Sequence, residues 1–117
     1  MRIVRTNEVP EEGRGEYTVK RLFTELLGHN PENIGFYLTT IPARRKVKRH
    51  FHPIALEVIF FLTNGIMADD ESAYSLYPGD IAILQPGERH EIQAEDEETR
   101  VIAVRIPNFV GDKEIGG

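Results

Sequence analysis

The run Arg49-His50-Phe51-His52-Pro53-Ile54-Ala55-Leu56-Glu57 decides how this chain is read. Successive side chains of a strand point to opposite sides, so His50 and His52 share one face and Phe51 takes the other. Glu57 lies at the wrong parity to join them on one unbroken strand. Pro53 interrupts that strand, and a turn through Ile54 and Ala55 resets the phase. Glu57 then opens a second strand, with Ile59 and Phe61 on its face and Val58, Phe60 and Leu62 on the other. Both faces are apolar, so this strand is expected to be central and buried. A carboxylate in such a place needs a partner, because burying an unpaired charge is costly.

A fourth residue completes the set. Gln85-Pro86-Gly87-Glu88-Arg89-His90 carries a turn signal and then a histidine. His90, Ile92 and Ala94 share one face, while Glu91, Gln93 and Glu95 form a fully polar one. His90 is therefore expected to point inward, on the side of the core. Single histidines on half-buried strands are commonly only hydrogen-bonded, and His-x-His alone is a weak signal. His-x-His, a carboxylate opening a buried strand and an inward histidine after Pro-Gly together predict a site for one divalent metal, with His50, His52, Glu57 and His90 as ligands.

Period-two apolar alternation predicts strands at Thr18 to Leu26, Ile34 to Ile41, Val47 to His52, Glu57 to Leu62, Ala73 to Leu76, Ile81 to Leu84, His90 to Ala94 and Val101 to Ile106. Thr18 to Leu27 reads equally as a short helix. Turn signals separate the runs at Gly28-His29-Asn30-Pro31, Asn64-Gly65, Ala68-Asp69-Asp70-Glu71, Tyr77-Pro78-Gly79-Asp80, Gln85-Pro86-Gly87 and Glu95-Asp96-Glu97-Glu98. Short strands at this spacing predict an all-β jelly-roll barrel. Residues 1–16 are polar and are expected to form a loose arm. Residues 17–110 are expected to form the barrel, and 111–117 a flexible tail.

A chain of 117 residues suits one domain. It contains no cysteine, which excludes disulfides and thiolate zinc sites. Any metal must then use imidazole, carboxylate or backbone oxygen. The net charge of -5 argues against a general nucleic-acid binder. No apolar run approaches the roughly 20 residues of a membrane helix. The first residues lack the apolar stretch of a secretory signal, so the cytoplasm is the expected location.

The two histidine segments resemble those of the cupin superfamily, specifically its small single-domain conserved-barrel type. The first cupin segment runs Gly, five residues, His-x-His, three or four residues, Glu, six residues, Gly. Here it reads His50, His52, Glu57 and Gly65, the last one residue late, with Arg44 where the leading glycine is expected. The second runs Gly, five residues, Pro-x-Gly, two residues, His, three residues, Asn. Here it reads Gly79, Gly87 and His90, with Gln85 for the first proline and Ala94 for the asparagine. The resemblance covers about residues 34 to 106. It implies a double-stranded β-helix with the ion inside. It also implies a homodimer, to which Pro107-Asn108-Phe109 could contribute.

Three neutral imidazoles and one carboxylate suit Mn(II), Fe(II), Ni(II) or Zn(II), and an octahedral ion would keep two positions for other ligands. Cupins of this pattern include dioxygenases, sugar-phosphate isomerases, decarboxylases and non-catalytic binders. The expected function is that of a metal-dependent enzyme, of dioxygenase or isomerase type, acting on a small, anionic, oxygen-rich substrate. The alternative is a non-catalytic sensor or binding module. Parity places Lys46 and Lys48 on the face of His50. Lys48 could then hold a carboxylate or phosphate, or belong to a solvated edge strand. Tyr37 and Gln85 are further candidates for the pocket lining. Glu88 and Arg89 read as a rim ion pair, His29 as surface, and Asp69-Asp70-Glu71 as a hairpin tip.

Overall fold

The computed structural model of the protein describes residues 1–16, 18–24, 34–108 and 113–115, with Glu114 and Ile115 as backbone only. Its strands are β1 (Arg2–Val4), β2 (Glu11–Gly13), β3 (Thr18–Lys20), β4 (Gly35–Ile41), β5 (Lys46–Phe51), β6 (Leu56–Phe61), β7 (Gly65–Ala68), β8 (Ala73–Leu76), β9 (Ile81–Leu84), β10 (His90–Gln93), β11 (Thr99–Ile106) and β12 (Glu114–Ile115). One sheet has the order β1-β9-β6-β11-β4 and a second the order β12-β5-β10-β7-β8, while β2 and β3 pair apart. From β4 to β11 the chain passes back and forth between the two sheets, and every pairing is antiparallel. This is the winding of a double-stranded β-helix, so the all-β expectation holds.

The core lies between the sheets. Ile59 and Phe61 of β6, Ala82 and Leu84 of β9, and Val101 and Ala103 of β11 face Met67, Leu76 and Ile92 of the second sheet. β6 is the middle strand of its sheet, as its two apolar faces require. Its outer residues Val58 and Phe60 join Leu56, Ile81 and Ile83 in a smaller cluster, partly covered by Leu22 and Phe23.

The expected strands from Ile34 onward match β4, β5, β6, β8, β9, β10 and β11 to within two residues at either end. Three expectations need correction. Gly65-Ile66-Met67-Ala68 is not merely a link between turns. It forms β7, which pairs with both β8 and β10. The opening residues are not a loose arm throughout, since Arg2–Val4 pairs with Val4 opposite Ile81 and Arg2 opposite Ile83. The buried Asp80 carboxylate pins this segment by accepting hydrogen bonds from Arg5 Nη1 at 2.8 Å and from the Thr6 amide at 3.3 Å. In the tail, the backbone of Glu114 and Ile115 pairs with Phe51 and His50. Of the expected strand from Thr18 to Leu26, Thr18–Lys20 is observed, and no helix forms over 18–24. Residues 25–33, including His29, lie outside the described residues. Among the described residues, no helix is long and apolar enough to cross a membrane.

Two turns carry the glycines of the histidine segments. In Tyr77-Pro78-Gly79-Asp80 the Asp80 amide donates to the Tyr77 carbonyl at 2.9 Å, and in Gln85-Pro86-Gly87-Glu88 the Glu88 amide donates to the Gln85 carbonyl at 3.1 Å. Gly79 and Gly87 have φ of 91° and 86°, the left-handed values that the third position of a Pro-Gly turn demands. Arg44 explains its own departure from the resemblance in the same terms. It stands where a glycine is expected and has φ of 63°. Its amide is fixed by the Glu95 carbonyl at 2.8 Å. A side chain in this conformation costs roughly 1–2 kcal/mol, and a glycine loses about 0.5–1 kcal/mol of chain entropy instead. Arg44→Gly is therefore expected to raise stability by about 0.5–1 kcal/mol in equilibrium denaturation, whereas Ala43→Gly next to it should not.

Candidate metal centre

His50 comes from the end of β5, His52 from the residue just past it, Glu57 from β6 and His90 from the start of β10. The two sheets thus each contribute, and one ligand atom from each residue lies within 4.8 Å of the other three. All four residues are 3% exposed or less. His50 stands directly opposite His90 in the β5–β10 pairing. Their ring centroids are 4.3 Å apart, and that of His52 is 5.2 Å from His50. The Gly87 amide donates to the His52 carbonyl at 2.9 Å, so the Pro86-Gly87 turn is docked on the histidine strand.

The surroundings prepare the ring nitrogens. Nδ1 of His50 lies 2.7 Å from the Lys48 carbonyl, and Nδ1 of His90 lies 3.0 Å from the Glu88 carbonyl. A carbonyl only accepts, so each Nδ1 carries a proton, and a neutral ring held this way presents its Nε2 lone pair to an ion. Burial pushes the His50 pKa down to about 4, and the neighbouring His90 adds to this against the opposing effect of the Lys48 carbonyl. The ring is therefore neutral near pH 7, as a metal ligand must be. For Glu57, burial works to raise the pKa. Contacts with His90, Arg105 and His52 outweigh it and hold the carboxyl at about 2.

These residues fit a metal ion. Glu57 Oε1 and His90 Nε2 are buried 3.0 Å apart, yet neither makes a directed hydrogen bond. Buried polar atoms are rarely left in that state, and a shared cation satisfies both. Three imidazoles and a carboxylate without sulfur are a donor set for first-row divalent ions.

The structure also brings in a residue that sequence reasoning passed over. Arg105 of β11 lies directly opposite Glu57 and donates from Nε to Glu57 Oε2 at 2.7 Å. Its signal was parity. Arg105 falls on the inward row of Val101 and Ala103, where a charge needs a reason. The parity assigned to Lys46 and Lys48 is corrected by a bulge. His90 pairs with His50, but Ile92 pairs with Val47, so the register slips between them. Val47 packs on the core, which turns Lys46 and Lys48 outward. Lys46 reaches the outer Glu91 at 3.5 Å. Lys48 is exposed and meets the centre through its carbonyl. Gln85 is exposed on its turn, and the Tyr37 ring lies 4.7 Å from the guanidinium carbon of Arg105. Glu88 and Arg89 do not pair with each other. Glu88 meets the Met1 amino group, and Arg89 faces Asp70 at 3.9 Å. Asp69 Oδ1 accepts from the Glu71 and Ser72 amides, which makes 69–72 the hairpin tip expected.

In metal-free protein these shifts set the acid response. An unfolded chain protonates His50 near pH 6.5, whereas the folded chain resists until about pH 4. Stability is then present above pH 6.5 and lost as pH falls toward 4, by up to about 3 kcal/mol. Glu57, with its depressed folded pKa of about 2, adds a further loss between roughly pH 4.5 and 2. Denaturation of apo-protein at a series of pH values is expected to show the upper slope, and His50→Gln to flatten it.

Comparison with known proteins agrees with this architecture. Among curated proteins none matches by sequence. A cupin-like protein from Thermotoga maritima is 23% identical with a TM-score of 0.66, over 73% of this chain and 65% of that one. A predicted oxalate decarboxylase from the same organism is 25% identical with a TM-score of 0.59, over 88% and 96%. A sugar phosphate isomerase of the cupin superfamily from Silicibacter pomeroyi is 21% identical with a TM-score of 0.61, over 66% of this chain and 52% of that one, so the chain spans about half its length. The model of the AraC-like ligand binding domain matches residues 33–110. With that match over most of its length and a double-stranded β-helix around a buried histidine–glutamate cluster, the chain belongs to the AraC-like ligand binding domain family, a cupin-type domain.

Proposed function

We propose that the protein holds one divalent transition metal through His50, His52, Glu57 and His90 and acts through it on a small, anionic, oxygen-rich molecule. The observation that carries this reading is the buried convergence of four donor groups, two of whose atoms lack a directed hydrogen bond. Such an ion, when bound, supplies a Lewis acid that polarises a carbonyl or lowers the pKa of water. The chain supplies the rest. The carbonyls of Lys48 and Glu88 fix two rings in the ligating tautomer, and Arg105 keeps Glu57 charged and oriented.

The reaction class we favour is a metal-dependent dioxygenation or isomerisation. A sugar phosphate isomerase among proteins of similar fold lends the isomerisation support without assigning that activity here. A second reading, a binding or sensor module without turnover, is favoured by the family itself, whose matching model describes a ligand-binding domain. A panel of sugar phosphates, diketones and keto acids, offered with Mn(II), Fe(II), Ni(II) and Zn(II) in turn, separates the two. The enzymatic reading expects turnover that falls at least a hundredfold in His50→Ala, with the variant still folded. Tight binding without product would establish the module instead. In either case chelation is expected to lower Tm by several degrees, because an ion bound only by the folded state stabilises it. An unchanged Tm with and without metal would oppose both.

We further propose that the protein is a homodimer. Phe36 and Leu38 of the edge strand β4 are 72% and 59% exposed, beside the half-buried Ile102 and Val104 of β11. An apolar stripe of this kind is seldom left to solvent. Sedimentation velocity is expected to give two chains per particle, and Phe36→Glu to give one. A wild-type protein that sediments as a monomer at micromolar concentration would remove this proposal.

A further inference from the structure

The structure assigns Arg105 a part beyond holding Glu57: it is the specificity-determining residue that anchors a carboxylate group of the ligand beside the metal centre. This rests on the metal-binding reading above and gives it a ligand class. Arg105 stands opposite Glu57 on one side and opposite Gly35 on the other. A Cβ at Gly35 would come within 2.6 Å of the Tyr37 ring, so the bare glycine leaves the space that the ring occupies. The ring in turn lies against the Arg105 guanidinium. The side chain is thus clamped at two points, by a carboxylate at Nε and by an aromatic face.

Exposure rises along this line of groups. Glu57 is 2% exposed, the Arg105 side chain 26% and Tyr37 38%. The guanidinium therefore spans from the buried cluster to the surface. Only Nε is used. Among the described residues, Nη1 and Nη2 make no hydrogen bond. Two parallel N–H groups in a plane fit a carboxylate in bidentate fashion, which an ammonium cannot do. Stacking on Tyr37 holds that plane fixed and reduces the ordering cost of binding.

Charge supports the same choice. A divalent ion with three neutral imidazoles and one carboxylate carries a formal charge of about +1, and Arg105 raises it to about +2. A neutral ligand would leave this excess unbalanced in a buried setting. The basic residues of β5 itself are not aimed at the cluster. Lys46 and Arg49 are engaged with Glu91, and Lys48 lies outward of the bulge. A ligand that places one group on the ion and a carboxylate on Arg105 satisfies both charges.

Calorimetry on nickel-loaded full-length protein tests this, with malonate and its neutral counterpart malonamide as probes. Wild-type protein is expected to bind malonate at least tenfold more tightly than malonamide. Arg105→Gln should erase that preference while elemental analysis still finds one nickel per chain. Arg105→Lys keeps a positive charge beside Glu57 but not the planar fork. It should hold nickel and bind malonate at least threefold more weakly than wild type, and it carries the test should Arg105→Gln release the ion. Arg45→Gln, which removes the same charge from an exposed turn, should change nothing. Malonate affinity within twofold of wild type in both Arg105 variants overturns the inference. So does a nickel-loaded wild type without preference for malonate, and that result leaves the metal site standing. Failure to take up nickel at all would instead remove the reading beneath it.

Discussion

The Glu57 carboxylate lies in the middle strand of a sheet, and its charge sets the terms for what surrounds it. Removing a carboxylate from water costs several kcal/mol unless cations or donors replace the solvent. Here Arg105 reaches one oxygen and His90 approaches the other. The balance of these contacts over burial keeps the group ionised. A single arginine shared with a partly solvated mouth does not saturate such a site. The histidines stand where a further cation would complete it, and this is why the cluster reads as a metal centre and not as a structural ion pair.

The jelly roll makes that arrangement possible by bringing distant parts of the chain together. β5 and β10 lie in one sheet and β6 and β11 in the other, so the ligands face each other across the barrel interior. The bulge in β5 adds the local correction. It lets Val47 fill the core and still leaves His50 inward three residues later, a parity that no regular strand provides. The same irregularity turns Lys46 and Lys48 outward, where Lys46, with Arg49, neutralises the buried Glu91. The histidine cluster and the ion-paired outer charges thus lie on two sides of one strand.

Most of this was legible in the sequence because it follows from period-two alternation and turn chemistry. The inward direction of His90 could be read from its polar neighbours, and the phase reset at Pro53 from the apolar run after it. The Pro-Gly turns declared themselves through residues that only those backbone angles suit. What escaped reading has physical causes. The bulge leaves no mark in composition, since it depends on how β5 pairs with β10. Gly65-Ile66-Met67-Ala68 is too short and too uniformly apolar to show alternation. Arg2–Val4 is a strand only because β9 offers it an edge and Asp80 ties the residues that follow. Arg105 was visible by parity but lies nearly fifty residues from Glu57, and only the register of β6 against β11 makes them neighbours.

The reading of the site stands or falls on one ion shared by these four residues. Diffraction from crystals of the natively purified protein, recorded at the absorption edge of the metal found in it, tests this most directly. A single anomalous peak is expected at about 2.0–2.3 Å from a nitrogen of each of His50, His52 and His90 and from a Glu57 oxygen. A peak elsewhere, for example against the acidic turn of Glu95-Asp96-Glu97-Glu98, or no peak after equilibration with each of the four divalent ions, would contradict it.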